Sequence, residues 1–219
     1  LHSLMIQSGI LQTILMIALV RTVEDKTKLI CARAVMNLMS DDTIEALKTA
    51  GAIRVFASIA AVQDTNINDQ CAQGFLVFTT TPQRREDICA RNSVLKALFL
   101  MIKSPSAQCR QVVGRTVCNL LSCARSQKAS IAAGALHVVK IISTMDYPAL
   151  RESAARVVMN LMQQDSLHAI LLEKAPLVPM LCFIMNASDD DTNEDEDHAK
   201  YIFDCAVVAM SCVAQAQAF

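Results

Sequence analysis

Arg33 and Asn37 stand four residues apart, and the same pair recurs as Arg115 with Asn119 and as Arg156 with Asn160. Residues four apart on a helix share one face, so each pair would set a guanidinium beside a carboxamide. The guanidinium is a planar fork that pairs with carboxylates in bidentate fashion. One exposed arginine is ordinary, its stem covering apolar surface, and an asparagine near a helix end can satisfy backbone groups of a neighbouring element. Three pairs in the same order carry more weight, because convergent polar groups on one surface are what binding sites are made of.

The other reactive residue types form no comparable set. His2, His137, His168 and His198 fall on no metal-ligand spacing, and the nine cysteines include no Cys-x-x-Cys pair or nucleophile motif. No glycine loop of the phosphate-cradling kind occurs. Asp189, Asp191, Asn193 and Asp195 alternate like the start of an EF-hand, but its sixth position should be Gly and its twelfth Glu. Here those positions are Glu194 and Lys200. The expectation is a non-enzyme with no cofactor, no metal and no small-molecule substrate. Ser104-Pro105-Ser106 could accept a proline-directed phosphate, though its plain reading is a turn.

The pairs sit in stretches that copy one another. Residues 31–39 and 154–162 agree at seven of nine positions and lie 123 residues apart, three times 41. A weaker copy at 113–121 lies 82 residues after the first, twice 41. Self-similarity at such a period marks a solenoid of stacked repeats. A turn recurs ahead of each copy, at Gly9, Gly51, Asn92, Gly134 and Ala175, spaced 42, 41, 42 and 41. Glycine belongs where a short helix turns sharply into the next with positive φ. Asn92 is the best non-glycine substitute, and Pro176 would open the following helix. Each repeat then reads as a short helix such as 43–49, capped by Ser40, Asp41 and Asp42, a second helix such as 53–62 or 136–142, and a long third helix. On the third helix, Cys31, Val35, Leu38 and Met39 form the expected buried stripe.

Short helix, glycine turn, second helix and a third helix ending Asn-Leu, every 41 or 42 residues, resembles the armadillo repeat. Gly-Ala-Ile/Leu at 51–53 and 134–136, with Asn-Leu at 37–38, 119–120 and 160–161, carry the resemblance. It covers residues 1–219 as one all-α domain, a right-handed superhelix of five repeats at about 1–40, 41–81, 82–123, 124–164 and 165–219. The second and fifth repeats depart from the pattern, with Val77-Phe78 and Ser211-Cys212 in place of Asn-Leu. An acidic insertion at 188–198 precedes the last helix.

In armadillo proteins the third helices line a concave groove, and the asparagine hydrogen-bonds the backbone of an extended peptide. Its carboxamide has one donor end and one acceptor end, matching a peptide unit. The resemblance therefore implies a groove of Arg33, Asn37, Gln73, Arg115, Asn119, Arg156 and Asn160, with Val207 at the equivalent place in the fifth repeat. The importin-alpha type carries tryptophan where this chain has arginine, and the chain has no tryptophan. A cationic row repels basic peptides, so nuclear-transport work ranks low. The beta-catenin type, whose groove takes acidic extended segments, is the closer resemblance. Five repeats packed about 10 Å apart would follow roughly a dozen extended residues.

Composition agrees with an all-helical chain, with 53% hydrophobic residues but only five glycines and five prolines. Net charge is −1, which points to no nucleic-acid partner. That average hides the acidic run Asp189, Asp190, Asp191, Glu194, Asp195, Glu196 and Asp197, read as a solvated loop that could fold over the arginine row as a built-in competitor. Residues 5–20 contain an unbroken apolar run of only seven residues, too short for membrane insertion. Free cysteines at apolar helix positions suit a reducing compartment, hence an intracellular, cytoplasmic expectation, with nucleus, cilium or cytoskeleton as variants. Leu1 is not a start methionine and the first repeat begins almost at once, so a longer array is expected. The partners expected are other proteins, bound through extended acidic or polar segments. The competing expectation is an architectural part of a cytoskeletal or ciliary assembly that uses convex or end surfaces.

Overall fold

Three glycines decide where short helices turn into longer ones. Gly9, Gly51 and Gly134 have φ of 84°, 103° and 101°, the left-handed region in which a side chain strains the backbone. These are the positions at which the sequence calls for such a turn. The computed structural model describes residues 2–217 except 21, 63, 146, 175–176 and 190–195. Among the described residues fifteen helices and no strand occur.

The helices come in threes. The first set is α1 (His2–Gln7), α2 (Ile10–Leu19) and α3 (Asp25–Asn37). The second is α4 (Ile44–Ala50), α5 (Ala52–Ile59) and α6 (Thr65–Val77), and the third is α7 (Pro82–Cys89), α8 (Asn92–Met101) and α9 (Ala107–Leu121). Then follow α10 (Ala124–Ala132), α11 (Ala135–Ser143) and α12 (Pro148–Met162), and finally α13 (Asp165–Lys174), α14 (Leu177–Asp189) and α15 (Glu196–Gln217). The chain divides into two compact units, Leu1–Thr116 and Val117–Phe219. No single described helix is long and apolar enough to cross a membrane.

Asn92 departs from the expectation. No described non-glycine residue has positive φ, and Asn92 is the first residue of α8, preceded by an extended Arg91 (φ −111°, ψ 94°). One extended residue turns the chain here, and a side-chain-bearing residue adopts that conformation without strain. Pro176 lies outside the described residues.

Burial follows the wheel drawn from sequence. Cys31, Ala32, Val35 and Leu38 of α3 are buried, while Met39, expected in the same stripe, is half-buried. In the second repeat the core is aromatic: Phe56 of α5 and Phe75 of α6 meet edge to face with ring centroids 5.9 Å apart. Gly74 makes that contact possible, since a Cβ there would clash with the Phe56 ring.

A second recurring device joins each third helix to the first helix of the next repeat. The last carbonyls of a helix have no partner within it, and here a side chain from the next repeat supplies one. Thr43 Oγ1 donates to the Leu38 carbonyl at 2.6 Å and accepts from the Ser40 N–H at 3.0 Å. Asp41 and Asp42, expected to share this capping, are exposed. Arg85 Nε donates to the Thr79 carbonyl at 2.7 Å. Ser126 Oγ donates to the Leu120 carbonyl and Gln127 Nε2 to that of Leu121 at 2.9 Å. His168 Nε2 donates to the Met162 carbonyl. Each such bond is worth roughly 1 kcal/mol net, and removing the donor from a buried carbonyl costs about 1–3 kcal/mol.

Candidate functional site

The third helices owe their orientation to the stripe that anchors them. With Cys31, Ala32, Val35 and Leu38 held in the core, the opposite face of α3 must point to water. Arg33 and Asn37 are both exposed. Among the described residues neither side chain has a hydrogen bond or ion pair. A polar pair left to water on a well-anchored helix is available to a ligand without first breaking internal contacts. On α6, which packs against α3, Gln73 is half-buried. Arg115 of α9 is exposed and has no described side-chain partner. These four residues belong to the first unit.

The second unit holds Asn119, Arg156 and Asn160. Asn119 is half-buried at the end of α9, and so is Asn160 near the end of α12. Arg156 differs from Arg33 and Arg115, because its Nη1 lies 3.5 Å from Glu152 Oε1 one turn earlier on α12. The carboxylate is the more sheltered partner, with its side chain 19% exposed against 49% for the arginine. Sequence spacing contained this signal, since Glu and Arg four apart on a helix are expected to pair.

Two neighbours on the second unit respond to the Arg156 charge. Burial pushes the Cys118 thiol up to about 12, with the arginine pulling the other way. The Tyr201 hydroxyl on α15 is raised first by its hydrogen bond with Cys205 and then by burial, with Arg156 opposing and Glu152 reinforcing. Tyr201 is 41% exposed. α15 packs against α12, which brings the Tyr201 hydroxyl within electrostatic reach of the Arg156–Glu152 pair. Sequence reasoning missed this residue because Tyr201 lies outside the repeated nine-residue stretch. At the place equivalent to the arginines, α15 carries Val207, which is exposed.

The acidic run stands apart from this description. Asp190, Asp191, Glu194 and Asp195 lie outside the described residues, as do the side chains of Asp189, Glu196 and Asp197.

Several buried cysteines are poorly placed for nucleophilic work. Burial raises the thiols of Cys31 and Cys71 and pushes Cys109 up to about 11, and the thiolate is the reactive form. Ser104 is buried, and Ser106 caps α9. Its Oγ accepts from the Cys109 N–H at 3.1 Å and donates to Asp69 Oδ1 at 2.7 Å. Both serines of the Ser-Pro-Ser stretch are thus built into a helix start. A concavity of about 410 Å³ lies beside this loop in the first unit, lined by Ala60, Val62, Leu100, Lys103 and Pro105 among others. The Asn68 carboxamide at its wall turns its nitrogen to the Ala60 and Val62 carbonyls at 3.2 and 3.1 Å, so that polar group is already engaged.

No protein-family model and no curated protein matches the chain by sequence. Solved structures do match by fold. A computationally designed armadillo repeat protein for modular peptide recognition superposes with a TM-score of 0.72 at 13% identity, over 96% of this chain and 85% of that one. A designed armadillo repeat protein in complex with the peptide (KR)4 gives 0.69 at 14% identity, over 97% of this chain and 85% of the other. An engineered protein gives 0.68 at 16% identity, covering 98% and 83%. The chain has the armadillo-like repeat fold, an all-α solenoid.

Proposed function

We propose that this armadillo-like chain is a non-enzymatic interaction scaffold that captures an extended, acidic or polar segment of another protein along its third helices. The observation that carries the reading is the exposure of Arg33, Asn37 and Arg115 without partners among the described residues, on helices whose opposite faces are buried. Asn37, Asn119 and Asn160 would clamp the segment's backbone through carboxamides that donate and accept. Arg33, Arg115 and Arg156 would pair with its carboxylates. Gln73 extends the polar row on α6. Burial keeps the thiols of Cys71, Cys109 and Cys118 protonated and away from the segment.

The fold by itself does not choose the charge of the ligand, as the designed armadillo repeat protein in complex with (KR)4 illustrates. The arginines are what favour acid. An array of extended acidic, neutral and basic peptides, probed with the wild type and with an Arg33→Glu/Arg115→Glu/Arg156→Glu variant of equal helicity, tests the reading. Acidic peptides retained by the wild type, lost by the variant and weakened by salt are the expected result. Retention of basic peptides, or an identical pattern for both proteins, would overturn it. An architectural role remains the second reading, favoured by large apolar residues left exposed on the first and last helix sets, such as Leu19 and Phe183.

A further inference from the structure

Where α5 and α8 end, the first unit has a concavity of about 410 Å³, within the span of small-molecule sites. At the roughly 30 Å³ that one water occupies in the liquid, it holds about a dozen non-hydrogen atoms. α5 packs on α8, and every described lining residue falls within Leu1–Thr116.

The walls are apolar because the polar groups around them are already engaged. Asn68 turns its nitrogen to the carbonyls of Ala60 and Val62. Arg110 Nη1 donates to the carbonyls of Ser104 and Pro105 at 2.7 and 3.0 Å. The Ser104 N–H donates to the Met101 carbonyl at 2.9 Å. Both loops are thus held in place before any ligand arrives, and a preorganised site loses little entropy on binding. The apolar lining includes Ala60, Val62, Leu100 and Pro105. Leu100 is 56% exposed, while Leu98, Met101 and Ile102 beside it are at most 1% exposed.

Two polar side chains in the lining are unengaged. Lys103 and Thr65 are exposed, and neither side chain has a hydrogen bond or ion pair among the described residues. Lys103 is also the one charged residue in the described lining. An ammonium beside an apolar wall suits a molecule with one anionic end and a hydrocarbon body.

We propose that this concavity binds, as a ligand and not a substrate, a small monocarboxylate with an apolar body, of the class of the medium-chain fatty acids. Its carboxylate meets the Lys103 ammonium and accepts from the Thr65 hydroxyl, and its chain covers Leu100, Val62 and Pro105. A second anionic group would find no further cation in the described lining. The site involves none of the arginine–asparagine pairs and stands or falls separately from them.

Titration of the full chain with octanoate, octanol and octylamine, followed by protein NMR, is the test, because shifted resonances report place as well as affinity. Octanoate is expected to saturate in the millimolar range or below, shifting Ala60, Val62, Leu100 and Lys103 first. Octanol should bind about two- to fivefold more weakly at low salt, the scale of one exposed ion pair, and octylamine more weakly still. Lys103→Gln should bring octanoate down to the level of octanol and leave octanol unchanged. Leu100→Asp should abolish binding of both, and it opens no core because that side chain is half in water. Octanoate that shifts nothing here, or that shifts exposed apolar residues across the chain alike, would overturn the proposal. Octylamine binding as well as octanoate would overturn it too, and so would a Lys103→Gln variant that keeps the preference for the acid.

Discussion

Residues 31–39 and 154–162 carry nearly the same nine amino acids, and their polar faces end up with different freedom. Arg33 and Asn37 stand exposed without described partners, while Arg156 is paired with Glu152 and Asn160 is half-buried. The buried halves of the two stretches match closely: Val35 and Leu38 are as sheltered as Val158 and Leu161. What differs lies outside the repeated residues. Four positions before the arginine the chain has Leu29, Gln111 and Glu152 in turn, and only the last can form an ion pair. A repeated motif thus reproduces its packing in both stretches, but the freedom of its polar side chains depends on neighbours that do not repeat.

The largest effect should come from the half that the two stretches share. Leu38→Ala and Leu161→Ala each remove a buried side chain, and about 2–5 kcal/mol of stability should be lost in either case. Chemical denaturation of the two variants checks this, and strongly unequal losses would break the equivalence of the cores. Next in size, Arg33→Glu and Arg115→Glu should each weaken binding of an acidic peptide about ten- to a hundredfold, the loss of a charge-assisted contact. Arg156→Glu should weaken it less, because its charge is already partly answered by Glu152. Titration calorimetry of the three variants ranks them, and an Arg156 effect as large as that of Arg33 would contradict the contrast.

Glu152→Gln sharpens the comparison in the other direction. Freeing Arg156 should tighten acidic-peptide binding by a few-fold, the scale of an exposed ion pair, and more at low salt than at high. Unchanged affinity at low salt would mean that Glu152 does not hold the arginine back.

The smallest effect concerns charges remote from both stretches. Glu45 accepts from Lys48 and from Arg84, the latter at 2.7 Å, and Lys48 also reaches Asp87 at 2.7 Å, which joins α4 to α7. Lys48 and then Arg84 hold the Glu45 carboxyl below its ordinary value of 4.5. A carboxyl lowered by folding stabilises the folded chain above its unfolded pKa, and that stabilisation is lost as pH falls through the lowered value. Lys48 is raised above its ordinary 10.5, chiefly by Asp87 and then Glu45, so its contribution is full below 10.5 and lost as pH rises through the raised value. Glu45 is more than half exposed, so water screens the network and roughly 0–1 kcal/mol is at stake. Melting of Glu45→Gln and wild type should differ slightly at neutral pH and converge below the range in which Glu45 titrates. A difference that persists in acid would point to a packing effect instead.

Much of this was legible in the sequence, and the misses have identifiable causes. Gly9, Gly51 and Gly134 turn with positive φ as their spacing demands, because no other residue adopts that conformation freely. Asn92 sits at the same spacing yet needs no left-handed turn, since the extended Arg91 redirects the chain instead. Residue type restricts a glycine position strongly and an asparagine position weakly. The junction donors Thr43, Arg85, Ser126 with Gln127, and His168 recur at the repeat period but share no side-chain chemistry. Comparison by residue identity passes over them. Tallying any hydrogen-bond donor at those spacings would have raised them.

The linear sequence determined the 41- to 42-residue period, the helical content, the glycine turns and the division of each third helix into an apolar and a polar side. Those are properties of local conformation and of the 3.6-residue turn, which neighbouring residues alone control. Tertiary structure decided which polar groups are free and which apolar rows are covered. Phe183 is no less apolar than Met101, and Leu19 is about as apolar as Ile102, yet the first of each pair is half in water and the second is buried. Burial depends on what stands on the far side of a helix, and that is settled only when the next repeat packs against it.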